Sequence, residues 1–259
     1  MLSQLYIENI AMIRQATIDF QKGFHVFTGE TGAGKTILIS AINAVLGGRT
    51  FKEIIRTGES RARVSALFTG IPNLTLTVPS HWLESRVKRS FLKDYPVEVI
   101  YNQVDKAVFK PTPGDFRQKH ALEGKKILLG VASVWEERKG LRDFIALSKL
   151  LDDRFRIVLI GLNSRQLASL PETILGLPRT DNVLQLVQAY SAADVFVCPS
   201  TEETFGMTVL EACCCGCKTV VYQDTACEEV ADAFGGIAVP RGPEHLKDAI
   251  LKLTGEETK

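Results

Sequence analysis

The 259-residue chain is 45% hydrophobic and 24% charged, with 31 basic against 30 acidic residues and a mean hydropathy of +0.06. That apolar fraction supplies a core for one large domain or two of ordinary size, excluding intrinsic disorder and a disulfide-stapled miniprotein; the near-neutral total argues against a dominant nucleic-acid footprint. No window reaches about eighteen apolar residues, and Glu8, Arg14, Asp19 and Lys22 interrupt the start, so neither a spanning helix nor a secretory signal is expected and a cytoplasmic chain is the default.

From Leu2 to Phe27 the chain reads as short strands with a turn at Gln21-Lys22-Gly23, and the run His25-Val26-Phe27 leads into Gly29-Glu-Thr-Gly32-Ala-Gly34-Lys35-Thr36. Ile37, Leu38, Ile42, Val45 and Leu46 then keep helical spacing, and Gly47-Gly48 stops them in the manner of a C-cap. Strand, glycine loop and helix form the context a phosphate loop requires. Glycines at 29, 32 and 34 let backbone N–H groups converge on phosphate oxygens, Lys35 reaches the terminal phosphates, and Thr36 ligates the magnesium that accompanies ATP.

This stretch, with Leu5-Tyr-Ile-Glu-Asn-Ile before it and Gly47-Gly-Arg and Ile55-Arg-Thr-Gly58 after it, resembles the amino-terminal head segment of the RecN family of bacterial DNA-repair ATPases, over about residues 1–68. The resemblance implies a partial phosphate-loop ATPase head that binds ATP–magnesium. That family, related to the SMC ATPases, completes its catalytic centre with a signature loop and an apolar strand ending in Asp-Glu. Neither occurs here, so hydrolysis is not expected. Arg56, Arg61 and Arg63 lack interleaved aromatics and read as a solvated face, so nucleic acid is not an expected partner.

Residues 71–120 read as a connector, with a helix over Trp82 to Phe91, a strand over Val97 to Tyr101 and the turn Lys110-Pro-Thr-Pro-Gly114. From residue 121 to 259 the pattern becomes regular. Apolar runs Ile127 to Val134, Ile157 to Gly161, Val195 to Cys198, Thr219 to Tyr222 and Ile237 to Val239 alternate with helix-period segments, which predicts a Rossmann-like, doubly wound parallel α/β sheet. Ligands in such sheets sit at the carboxyl ends of the strands.

Two constellations fall at such ends. Gly130-Val-Ala-Ser-Val-Trp-Glu-Glu-Arg138-Lys139-Gly140 carries two cations to a helix start, which suits a diphosphate although the same pair also describes an ordinary solvated face. Glu203-Thr-Phe205-Gly206-Met207-Thr208-Val-Leu-Glu211 places an acid at each end of a phosphate-sized gap, with helix-opening amides between. Glu203 is placed to hydrogen-bond sugar hydroxyls and Glu211 to accept from ribose hydroxyls.

Together with Val78-Pro-Ser-His-Trp82, Val99-Ile-Tyr-Asn-Gln-Val-Asp105, Phe109 and Tyr190-Ser-Ala-Ala-Asp-Val-Phe-Val197, these residues resemble the donor-binding half of family-4 glycosyltransferases of the GT-B fold, over about residues 75–253. The resemblance implies retaining transfer from a UDP- or GDP-sugar to an acceptor that the sequence does not identify, with no metal requirement. Arg138, Lys139 and Glu203 are then catalytic; Glu211, Phe205, Gly206, Met207 and Thr208 bind the donor. The segment Leu177-Pro-Arg-Thr-Asp-Asn182 packs the nucleobase. Gln103 stands where the family has a glycine, so a strained left-handed turn is expected there, and Thr204 replaces another common glycine. The ATPase-like fragment stands where that family carries its acceptor lobe, so the chain reads as a composite joined near residues 68–74, in which donor binding survives better than transfer.

Cys213, Cys214 and Cys215 follow one another on a helix, about 100° apart, and cannot converge on one tetrahedral ion; they read as packed thiols, and Trp82 and Trp135 as core residues.

Overall fold

The computed structural model describes residues 2–21, 23, 25, 35–45, 55–69 and 74–256, apart from the side chains of Lys35 and Thr36. The chain divides into two compact units, Met1–Leu74 and Thr75–Lys259.

In the first unit β1 (Leu2–Ile10) lies between β2 (Ile13–Asp19) and β3 (Arg63–Phe68) in an antiparallel sheet, and α1 (Lys35–Val45) packs on it. Alternation along β1 turns Leu5 and Ile7 inward, where they meet Leu38 and Ala41 of α1. The β1–β2 hairpin turns at Ala11 and Met12, where Ile10 pairs with Ile13 and Asn9 and Ala11 take positive φ; of the turn expected at Gln21-Lys22-Gly23, which follows β2, Lys22 lies outside the described residues. Gly29, Gly32, Gly34, the run Val26-Phe27 and Gly47-Gly48 lie outside the described residues; α1 opens at Lys35, as the phosphate-loop pattern requires.

The second unit begins with a small parallel pair, β4 (Leu76–Val78) and β5 (Val97–Val99), bracketing α2 (His81–Val87). Ser80 caps α2 by accepting from the Leu83 amide. The helix ends at Val87, short of the expected Phe91, which is exposed in the turns that follow. The strand likewise stops at Val99, leaving Ile100 and Tyr101 half-exposed. Gln103 is not among the residues with positive φ, so the strain expected there is absent.

The main sheet has six parallel strands in the order β11-β10-β9-β6-β7-β8. They are β6 (Lys126–Val131), β7 (Phe155–Ile160), β8 (Ile174–Leu177), β9 (Val195–Cys198), β10 (Lys218–Tyr222) and β11 (Ile237–Val239). On one face Ile127, Leu129, Val158, Ile160, Phe196 and Val221 pack against α3 (Phe116–Lys119), α6 (Val183–Ala192), α7 (Met207–Cys214) and α8 (Ala226–Ala233). On the other, Leu128, Ile157, Leu159, Val195, Val197 and Val220 pack against α4 (Leu141–Leu147), α5 (Ser164–Ser169) and α9 (Pro243–Thr254). Apolar side chains on both faces of each strand explain the unbroken runs in the sequence. Trp135 sits in the second face, edge-on to Phe144 at 5.7 Å, its indole N–H donating to the Ile160 carbonyl.

The chain leaves β6 toward β7 and β8, then returns past β6 to form β9, so the connections after β6 and β9 diverge and leave a crevice at the carboxyl ends of the strands. At the opposite end Asp194 accepts from Arg117 at 2.7 Å and from the Ile127 amide at 2.8 Å, tying the entries of β9 and β6 together.

Gly161, at the exit of β7, has φ +97°, and a Cβ there would lie 1.8 Å from the Ala132 carbonyl oxygen. Gly161→Ala is expected to lose about 3 kcal/mol of stability, measured by urea denaturation, from a clash and a disfavoured φ together.

Candidate active site

The loops after β6 and β9 interlock across the crevice. Glu137–Lys139 forms a single 3-10 turn closed by Gly140 with φ +74°, and a Cβ on that glycine would lie 2.5 Å from the Pro199 carbonyl oxygen. The Thr201 amide donates to the Arg138 carbonyl at 2.9 Å, and the Arg138 guanidinium contacts the Glu202 carbonyl and pairs with Glu136 at 2.9 Å. Lys139 forms an ion pair with Glu203, both side chains being largely covered. Three of the predicted residues, Arg138, Lys139 and Glu203, are therefore brought together although about sixty residues separate the two loops.

Gly206 follows with φ +92° and opens α7; a Cβ on it would lie 2.7 Å from the Cys227 sulfur. Phe205 is buried beneath the loop, while Met207 and Thr208 begin the helix, where the first amides have no intrahelical acceptor. Thr204 adopts no left-handed conformation, and its carbonyl accepts from the Ser80 hydroxyl at 2.8 Å.

Glu211 lies one turn into α7 and lines a cleft of about 580 Å³ with Thr208, Phe109, Ser133 and the segment Arg179 to Val183. The predicted nucleobase segment thus shares one cleft with Glu211. Glu203 and Arg138 line a second cleft of about 680 Å³ with Trp82, Arg86 and Arg241. Trp82 is a wall of this cleft instead of a core residue. Its indole N–H donates to the Asp224 carbonyl at 2.7 Å, and the Arg86 guanidinium lies 4.8 Å above its ring. The amides of His81 and Trp82 donate to Glu229, holding α2 against α8.

Tyr190, which no sequence pattern singles out as a support, holds Glu211. Its buried hydroxyl donates to that carboxylate at 2.8 Å, orienting the oxygen pair from below. The two residues stand 21 apart in the chain, and no sequence spacing reveals the contact because it joins two helices. Burial pushes the Glu211 carboxyl above its ordinary range, and the Tyr190 hydrogen bond pulls it partly back. Burial also drives the Tyr190 phenol well above its usual value, with the Glu211 charge adding to the effect. The cysteines expected to pack do so: Cys215 and Cys217 are buried, Cys213 and Cys214 half-buried, and all six in the chain are free thiols.

A folded state that raises the pKa of Glu211 favours its protonated form. The resulting contribution to stability is complete below the unfolded carboxyl pKa and is lost as pH rises through the folded one, so the ionised group destabilises the fold at neutral pH. Glu211→Gln keeps an acceptor for Tyr190 and is expected to raise Tm by about 2 °C at pH 7.5, with the difference vanishing near pH 4. Thermal scans at both pH values check this; an equal difference at the two would show that charge is not the cause.

The glycosyl transferases group 1 family profile matches residues 125–256, and an AAA-domain profile matches residues 4–158. The second match runs past the 68 residues of the front resemblance into β6, α4 and β7, which belong to the parallel-sheet unit. The chain is 48% identical to DNA repair protein RecN of Bacillus subtilis over 68 residues, 26% of this chain and 12% of that protein. To RecN of Haemophilus influenzae it is 38% identical over 120 residues, 44% of this chain and 20% of that one. It thus spans a fifth or less of these relatives.

Among solved structures, sucrose-phosphate synthase from Thermosynechococcus elongatus superposes with a TM-score of 0.61 at 21% identity, covering 70% of this chain and 49% of that one. Anabaena HepE in complex with UDP and glucose superposes with a TM-score of 0.58 at 18% identity, covering 69% of this chain and 52% of that one. These likenesses establish the fold, about half the length of each neighbour being matched. No helix among the described residues is long and apolar enough to cross a membrane. With more than half of its residues inside the matched profile, the chain belongs to the glycosyl transferases group 1 family, and its front is an AAA-type region of RecN kind.

Proposed function

We propose that the parallel-sheet unit binds a nucleotide-diphospho-sugar at the crevice between the β6 and β9 loops. The observation that carries this is the Lys139–Glu203 pair beside the amide-rich opening of α7, with Glu211 one turn further on. Arg138, Lys139 and the amides from Phe205 to Thr208 take the diphosphate. Glu203 accepts from sugar hydroxyls, Glu211 from ribose hydroxyls, and residues 177–182 take the base.

In a retaining transfer the electron pair of the breaking anomeric C–O bond passes to the diphosphate, where Arg138 and Lys139 stabilise the charge, and the acceptor hydroxyl oxygen forms the new bond on the same face while its proton passes to the departing diphosphate oxygen. These residues supply that stabilisation without a metal. Donor binding is the activity we assign to this unit; transfer, and the acceptor it requires, extend beyond it.

Lys139 is partnered by Glu203 in the free protein, so donor binding exchanges one anion for another at this amine. Calorimetric titration of the full chain with UDP-glucose and GDP-mannose tests the assignment. Arg138→Ala and Lys139→Ala are each expected to weaken binding by about 10- to 100-fold, and Glu211→Ala to weaken it as well. Unchanged affinity in all three variants would remove the assignment.

A second activity is proposed for the front unit on its 48% identity to RecN: ATP–magnesium binding at Gly29, Gly32, Gly34, Lys35 and Thr36. The helix start at Lys35 fits that role. Lys35→Ala is expected to abolish calorimetric ATP binding and leave sugar-nucleotide binding untouched; ATP affinity equal to that of the unaltered chain would refute it.

A further inference from the structure

Ile160, Arg179, Thr180 and Asp181, which line the cleft beside Glu211, also line a second recess of about 200 Å³ between α3 and α6 that reaches Lys119 and Gln188. Building on the sugar-nucleotide site proposed above, we infer that this segment between the two recesses reads a guanine base through Arg179 and Asp181.

Glu211 on the near wall fixes the ribose, so the base lies toward the segment that joins the two recesses. That segment is held by the start of α6. The Asn182 side chain accepts from the Gln185 amide at 3.0 Å, and the Gln185 side chain in turn accepts from the Asp181 amide at 3.0 Å. The backbone on either side of the Asp181 carboxylate is therefore fixed, while the carboxylate itself has only a 3.5 Å contact to the Gln185 amide group. Its acceptor capacity remains almost wholly available. Arg179 is exposed, and no ion pair or hydrogen bond holds its guanidinium among the described residues.

A guanidinium fork and a carboxylate two residues apart present two donors and two acceptors to one ligand. Guanine answers both: its O6 and N7 accept from an arginine fork, and its N1–H and exocyclic N2–H₂ donate side by side to a carboxylate. Uracil has a single ring N–H between two carbonyls and gives the carboxylate one bond. Adenine has no donor pair on its ring edge, so the carboxylate faces an acceptor there. The second recess also gives room for a two-ring base that a pyrimidine would leave unfilled. HepE holds UDP in its complexes, but at 18% identity that likeness concerns the fold, and the choice of base rests on Arg179 and Asp181.

Calorimetric titration of the full chain with GDP, UDP and ADP, repeated on Asp181→Asn and Arg179→Ala, decides the matter. Both residues are exposed, so the variants keep the fold. The expected result is GDP binding about 10-fold or more tighter than UDP or ADP, and in each variant a loss of GDP affinity of about 10-fold that exceeds any loss of UDP affinity. UDP binding as tight as GDP, or GDP affinity unchanged in both variants, overturns the inference and leaves the sugar-nucleotide site standing. Failure of all three nucleotides to bind the unaltered chain overturns both.

Discussion

The placement of β9 beside β6 is the constraint from which the rest of the site follows. A chain that goes outward through β7 and β8 and then returns to the other side of its first strand must send its two central connections apart, and what lies between them is a crevice floored by strand ends. The sequence then fills each connection with what a crevice can use. After β6 it places cations on a tight turn, and after β9 it places a carboxylate ahead of a helix whose opening amides face the same space. Neither loop is a site alone. Their mutual fit, down to the Thr201 amide on the Arg138 carbonyl and the contact of Gly140 with Pro199, makes the charges meet.

Much of this was legible without coordinates because parallel strands buried on both faces leave an unmistakable trace. Val195–Cys198 and Ile237–Val239 were bounded to the residue by their apolar runs, and the two loop motifs followed from where those runs stop. What sequence could not show were contacts between elements distant along the chain. Tyr190 reads as one more apolar residue of a helix until α6 and α7 are side by side. The recess beyond Asp181 has no sequence signature, since a cavity is a property of three elements together. Local gaps had local causes: the first hairpin turns at Ala11 and Met12, without the glycine or proline that usually marks such a turn, and Trp82 looks like core until its indole is seen lining a cleft. The phosphate loop was the sharpest motif of all. The helix that opens at Lys35 is where that motif expects it.

The two units speak for different chemistries. An antiparallel sheet with a helix packed on it, matched to repair ATPases over a stretch that spans 12% of RecN from Bacillus subtilis, shares a chain with a six-stranded parallel sheet of the glycosyltransferase kind. Each has its own buried core, Leu5, Ile7 and Ile10 in one and the two faces of the parallel sheet in the other. Separate cores let each unit be judged by its own ligand, and neither chemistry needs to be explained through the other.

The Lys139–Glu203 pair has a kinetic side. A bare lysine in a crevice casts a field that draws anions from a distance, and binding then begins with long-range capture. Here the neighbouring carboxylate cancels most of that field until the ligand is already in contact, and the chain as a whole carries a formal charge of only +1. Arrival is consequently governed by diffusion and orientation and should depend weakly on ionic strength. Discrimination among anions then falls to dwell time, because only a ligand that offers phosphate to the lysine and hydroxyls to the glutamate replaces both partners of the pair at once.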